Sequence, residues 1–337
     1  MALLKHPKLE QLESSVSEAL KKDLSEQELF SYAEFDEEEL ERTGSANYSY
    51  WRSTLRAFSK NKLAMFLLIL LLAIVIFTFI QPYLPGQFDP NAANNTITAS
   101  GRPKPLKDSP PDAVHWLGTD SNGRDLWARL WAGTRNSLFI GIAVALIEAA
   151  VGIMVGVLWG YVRSLDFLFT EIYNVLDNIP TTILLILISF ILRPSMGTLI
   201  FALSITGWIG MARFVRNQVL IIRDRDYNVA SRCLGTSTWR IIVKNLLPYL
   251  VSVIMLRMAL SIPGAIGSEV FVTYIGLGLP ANVPSLGKLI TEGRKLLASP
   301  SKSYQLIYPT IVLSIVTVSF YMIGNAFSDA ADPKTHV

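Results

Sequence analysis

Among its 337 residues the sequence has one cysteine, three histidines and only 17% charged side chains. Cys233 stands alone, which excludes an intramolecular disulfide. His6, His115 and His336 are dispersed, so neither a His-Glu-x-x-His pair nor a Cys/His cage is available to hold a metal. No G-x-x-x-x-G-K-[ST] loop occurs; Gly287-Lys288 comes nearest, with Asn282 where the first glycine belongs. A Gly-x-Ser-x-Gly nucleophile turn is also missing. An enzymatic reading therefore has no constellation to rest on, and no cofactor or metal is expected on this chain.

What is present is apolar length. Hydrophobic residues make up 51% of the chain, mean hydropathy is +0.37, and several uncharged runs approach the length that crosses a bilayer. These runs lack the two-residue alternation of barrel strands, so the fold class is all-α, a polytopic membrane protein. Six spans are expected, at Leu63–Ile80, Leu138–Val162, Phe167–Leu192, Met196–Ala212, Tyr249–Tyr274 and Tyr304–Phe327. The third begins in a polar half with Glu171 and Asp177 ahead of Pro180. An even number puts both termini on one side. Arg52, Arg56, Lys60 and Lys62 before the first span, and Arg213, Arg216, Arg223, Arg225, Arg232, Arg240 and Lys244 between the fourth and fifth, mark that side as cytoplasmic. Arg124, Arg129 and Arg135 on the opposite loop argue mildly the other way.

The expected organisation is an acidic cytoplasmic extension over residues 1–50, a first span with its flank over 51–82 and an extracytoplasmic loop over 83–136. A helical core with five spans follows over 137–328, with a polar loop at 213–248, and a cytoplasmic tail over 329–337. The first 45 residues hold 5 basic and 12 acidic side chains, net −7, against about +10 for the rest. Leu9, Leu12, Val16 and Leu20 recur at helical spacing, and Ser25 with Glu28 has the form of a capping box. A partner-docking helix and a solvated acidic extension both fit. No uninterrupted apolar core suggests a secretory signal, so the first span is expected to stay as an anchor. Asn94-Asn95-Thr96 matches a glycosylation acceptor by pattern alone.

The most informative stretch is Tyr227–Pro248, basic and polar between two apolar runs. Asp226 to Gly235 suits a short helix ended by a glycine in the left-handed region. A second helix is expected from about Ser237, its apolar face of Trp239, Ile241, Ile242, Leu246 and Leu247 too short to cross a membrane, with Pro248 starting the fifth span. Ala230-Ser231-x-x-x-Gly235, followed thirteen residues later by Pro248, resembles the EAA loop of inner-membrane permeases of ABC importers. Val229 stands where that motif usually has Glu, and Ser231 where it has a second Ala, so Asp226, Arg225 or Arg232 becomes the candidate polar contact. Glu148-Ala149-Ala150 spells the motif inside a span, with Gly152 at the wrong spacing.

His115-Trp116-Leu117-Gly118-Thr119-Asp120-x-x-Gly123-Arg124-Asp125, continuing to Arg129, Gly133, Arg135 and Ser137-Leu138, resembles the C-type permease of the dipeptide, oligopeptide and nickel group. Glu269 with Tyr274–Leu279, Pro284-Ser285-x-Gly287, Glu292-Gly293-Arg294 and Asp329-Ala330-x-Asp332-Pro333 looks like the same family. The resemblance implies a type I ABC importer permease fold with a cytoplasmic coupling helix. It implies a homologous second permease, two ATPase subunits carrying ATP and Mg, and an extracellular or periplasmic peptide-binding protein; lipid surrounds the chain, and nucleic acid is not an expected partner. The ATPase-coupling residues carried over are Asp226, Val229, Ala230, Ser231, Arg232, Gly235 and Pro248.

Charges at membrane depth cost about 2.5–3.5 kcal/mol each and mark a pathway or a buried pair. Glu148, Arg257 and Glu269 are the candidates for a substrate path. Arg257 and Glu269 lie twelve residues apart, about 18 Å along a helix, so they do not pair with each other. Arg257 facing a cavity and Arg257 in a structural pair both fit, while Glu269 suits a cap on the turn that follows. Asp120, Arg124 and Asp125 are expected to fix the outer loop. Gly152, Gly156 and Gly160 form a close-packing stripe, on this chain or on a partner; Pro180 and Pro263 are flex points or static kinks. A peptide importer subunit is the expected function, with a nickel or nickel-chelate importer as the alternative within the family. A non-transporting receptor or scaffold is the alternative outside it; an ion-coupled transporter would show internal repeats, and none is evident.

Overall fold

The computed structural model describes residues 50–97 and 103–331. The expected helices at Leu9–Leu20, the Ser25/Glu28 box, His6, His336 and the Asp332-Pro333 ending lie outside the described residues. Helix α1 (Tyr50–Lys60) is amphipathic, and Asn61 separates it from α2 (Lys62–Ile80) by accepting the Ala64 N–H at 3.1 Å as an N-cap. Phe58 on α1 packs against Ala326, Phe327 and Ala330 at the end of the last helix. On α2 only Ala64, Leu71 and Thr78 are buried, and Phe66, Ile69, Ile76 and Phe79 are exposed. That pattern suits a peripheral helix facing lipid.

The outer segment carries a short antiparallel pair, β1 (Asn95–Ile97) and β2 (Pro103–Pro105), with Thr96 opposite Lys104. Helix α3 (Leu126–Tyr161) follows. It starts twelve residues before the expected Leu138, because Asp125 caps it by accepting the Ala128 N–H at 2.8 Å and its first turns pack Leu126 and Leu130 on a later outer helix. At 36 residues it is about 54 Å long, more than a bilayer core needs, so its first turns belong to the outer loop.

The third expected span is not one helix. α4 (Arg163–Asp177) and α5 (Thr181–Ile191) meet at a 78° bend at Asn178-Ile179-Pro180. Proline's missing N–H and the extended backbone forced on its predecessor end α4 there. Five helices are long and apolar enough to cross a membrane, six if the bent pair counts as one, among the described residues.

Helix α6 (Met196–Arg223) runs eleven residues past the expected Ala212, so Arg213, Arg216 and Arg223 ride on a helix and not on a loop. Val215, Val219 and Ile222 beneath them are buried, and Arg216 reaches Asp166 on α4 at 2.7 Å. The packing of α3 on α6 forms the centre of the bundle and explains the glycine stripe. A Cβ at Gly152 would meet Met211 Cγ at 2.5 Å, at Gly156 Val215 Cβ at 2.7 Å, and at Gly160 Val219 Cβ at 2.8 Å. The stripe therefore packs within this chain.

After α7 (Asp226–Cys233) the chain enters α8 (Thr238–Tyr274), which merges the expected surface helix and the fifth span. Ile242–Leu246 form a π-helical turn inside it, directly before Pro248. Pro248 has no N–H for the carbonyl four residues back, and the widened turn shifts the hydrogen-bond ladder where that bond is lost. Burial of Ile241, Ile242 and Leu246 against Val215, Val219 and Ile222 holds this segment on the bundle. The outer return carries α9 (Leu286–Arg294), capped by the Ser285 hydroxyl, and α10 (Tyr304–Ala331) ends the described chain.

Candidate functional site

At one end of the bundle, Asp226–Cys233 fold into α7 because Gly235, at φ +77°, can stop it. The Thr236 N–H then reaches Ser231 O at 3.0 Å and the Gly235 N–H reaches Arg232 O at 3.0 Å. Asn228 is fully buried on the inner side of α7. Its Nδ2 donates to Ile222 O at 2.9 Å, and Asn245 Nδ2, inside the π turn of α8, donates to its Oδ1 at 3.0 Å. One side chain thus ties α7 to both neighbouring helices. Tyr227, Val229, Leu234 and Trp239 are exposed, Leu234 at 85% and Trp239 at 70%. The loop is a rigidly seated knob with an apolar outer surface.

Asp226, Val229, Ala230, Gly235 and Pro248 are exposed, and Ser231 and Arg232 half-buried. Arg232 turns back to Asp224 at 3.2 Å, so its charge is met within the chain. Arg223, with Arg232 and despite slight desolvation, holds the Asp224 carboxyl below its ordinary range.

Deeper in the bundle, α3, α5, α6 and α8 line an open cavity of about 290 Å³. Glu148 comes from α3, Thr181 from α5, Thr206 from α6, and Arg257, Ser261 and Ser268 from α8. On α8 the lining positions 257, 261, 264 and 268 repeat every three or four residues, the spacing of one helix face. The Ser261 hydroxyl donates to Glu148 Oε2, and the Arg257 guanidinium lies 5.9 Å from the Phe214 ring centre.

Glu269 does not line this cavity. Fully buried, it accepts from Ser285 Oγ at 2.7 Å, Thr273 Oγ1 at 2.9 Å and Ser137 Oγ at 3.2 Å, and from the Gly287 amide. It joins α3, α8 and the start of α9. Nearby, Asp120 accepts from Arg124 Nε at 2.7 Å and lies 3.2 Å from Arg129 Nε, and Arg129 reaches Glu292 of α9 at 3.0 Å. Asp125 meets His115 Nδ1 at 2.8 Å. These charges lock the outer loop to α9.

Comparison with known proteins decides the family. A family model described as "Binding-protein-dependent transport system inner membrane component" matches residues 152–337. A second, "N-terminal TM domain of oligopeptide transport permease C", matches residues 49–103. The chain belongs to the binding-protein-dependent inner-membrane permeases. This permease is 38% identical to the oligopeptide transport system permease protein AmiD of Streptococcus pneumoniae, over 92% of this chain and 98% of that one. It is 37% identical to the dipeptide transport system permease protein DppC of Bacillus subtilis, over 85% and 86%. The MetNI methionine ABC transporter, solved in inward-facing conformations, aligns with a TM-score of 0.52 at 20% identity, over 61% of this chain and 96% of that chain. At that identity the likeness establishes the fold, an ABC importer permease bundle.

Of the three charges the sequence singles out, Glu148 and Arg257 line the cavity and Glu269 does not, and Asn228, Asn245 and Asp224 were not among its candidates. The available signal was Asn228 itself, a poor helix former at the third position of an eight-residue helix. Its partner Asn245 lies seventeen residues away and has no pattern that links the two.

Proposed function

We propose that this permease is the C-type subunit of an ATP-driven importer of di- and oligopeptides. It pairs with a homologous second permease and two ATPase subunits that bind ATP and Mg, and a peptide-binding protein outside the membrane delivers the cargo. The names of its relatives, matched over nearly the whole chain, supply the peptide assignment. The observation that carries the mechanism is the seated knob at 226–239. An ATPase closing on Leu234, Val229 and Trp239 pushes α7, and Asn228 passes the movement to α6 and α8. Because Val229 stands in for the motif's usual Glu, the docking contact is chiefly apolar, with Asp226 at its edge. Both termini and the 213–248 region lie on the cytoplasmic side, as the Lys/Arg distribution favours. The boundaries 1–50, 51–82, 83–136, 137–328 and 329–337 serve as its working divisions. Glu148 and Arg257 line the peptide's path, and Glu269 holds the wall together.

Purification in mild detergent tests this reading. Recovery of a second permease and P-loop ATPases in stoichiometric amounts, with peptide uptake after reconstitution, is the expected result. Recovery of the chain alone, or with signalling proteins, would overturn it in favour of a receptor or scaffold.

A further inference from the structure

The cavity is lined by two opposite charges, Glu148 and Arg257, that form no ion pair with each other within 4.0 Å. Arg257 is exposed and makes no ion pair within 4.0 Å among the described residues, and its nearest aromatic face is Phe214. Glu148 is half-buried, lies against the bare backbone of Gly207 and is held by the Ser261 hydroxyl. Ser261 stands four residues beyond Arg257 on α8, so it anchors the carboxylate about 6 Å along the helix axis from the arginine's Cα. The carboxylate is thus hydrogen-bonded to a serine, with no ion pair to the arginine within 4.0 Å. Two extended residues of a peptide reach about 7 Å, and a cavity of about 290 Å³ sits at the small end of ligand sites.

We propose that Glu148 and Arg257 form a two-ended station that holds the ammonium and the carboxylate of a short zwitterionic peptide. The Thr181, Thr206 and Ser268 hydroxyls lie along the wall between α5, α6 and α8, where they meet peptide amides. This inference rests on the peptide-importer reading and specifies which chemical groups of the cargo this chain reads. It also accounts for a guanidinium in the middle of a spanning helix that has no carboxylate within 4.0 Å among the described residues.

Saturation-transfer NMR on the detergent-purified full complex, without the binding protein, reads the station directly. The probes are the dipeptide Ala-Phe, its N-acetyl form and its C-terminal amide. Wild type is expected to bind the free dipeptide about tenfold more tightly than either blocked form, the loss expected for one charge-assisted hydrogen bond. Glu148→Gln should erase the preference for a free amino end and keep that for a free carboxylate; Arg257→Gln should do the reverse. Ser261→Ala, which retains the carboxylate, should weaken only the amino-end preference. Equal binding of free and blocked peptides by wild type, or variants that lose all binding alike while the complex stays assembled, would overturn the station. Uptake of the same peptides by proteoliposomes with the binding protein separates the two claims. Uptake with no station signal leaves the importer standing without the station, and no peptide uptake by wild type removes the reading beneath both.

Discussion

Glu269 shows what a single buried charge does in this chain. Its carboxylate gathers three hydroxyls and an amide from α3, α8 and the start of α9, and no cation pairs with it within 4.0 Å among the described residues. Glu269→Ala leaves Ser137, Thr273 and Ser285 buried without this acceptor, so a loss of at least about 3 kcal/mol is expected. It should be visible as a lowered thermal midpoint of the purified complex, with Glu269→Gln falling between. Asp108 offers a pH test at the same scale. Burial raises its pKa, but the Lys302 ammonium and the Gln305 and Ser121 groups outweigh that and hold it below the ordinary 3.8. A carboxyl depressed in the folded state stabilises above its unfolded value, and that contribution is lost as pH falls through the lowered value. Protection factors for residues 103–122 should therefore drop on acidification below about 3.8, and Asp108→Asn should lack that drop.

At the scale of elements, the seated knob at 226–239 depends on one turn and one tether. At φ +77° with open space around it, Gly235→Val clashes with nothing but forces a β-branched residue into the left-handed region, at roughly 1–2 kcal/mol. The complex should assemble, while stimulation of its ATPase by loaded binding protein should fall severalfold. Asn228→Ala should give the same uncoupling without changing the turn, because α7 loses its bonds to Ile222 O and Asn245. Full stimulation in both variants would show that force does not pass through α7. The contact between α3 and α6 is less forgiving. Gly156→Leu brings a side chain where even a Cβ meets Val215 at 2.7 Å, and loss of folded protein in the membrane fraction is expected.

For the whole molecule, the two family models match residues 49–103 and 152–337, both after the acidic extension. Deletion of residues 2–45 should leave assembly with the partner permease and ATPases intact, as measured by co-purification. Loss of the complex on truncation would assign the extension an assembly role. The boundaries of the spans were legible only where composition changes with depth, as at Lys62 and Tyr304. The helices run past the expected spans at Leu138, Ala212 and Tyr249, continuing into polar sequence because tertiary contacts, at Asp125, Asp166 and Ile222, satisfy it there.

The sequence by itself determined the class, the apolar runs long enough to span, the left-handed stop at Gly235 and the missing phosphate-loop motif. Each follows from local chemistry: apolar length, a missing Cβ, an absent phosphate loop. Only the tertiary structure decided that the glycine stripe packs on α6, that Pro180 turns the third span through 78° and that Asn228 finds Asn245. It alone brought Glu148 and Arg257, 109 positions apart, to one cavity while consigning Glu269 to a structural node. Such pairings depend on which helix faces meet, and helix periodicity shows that a face exists without naming its neighbour.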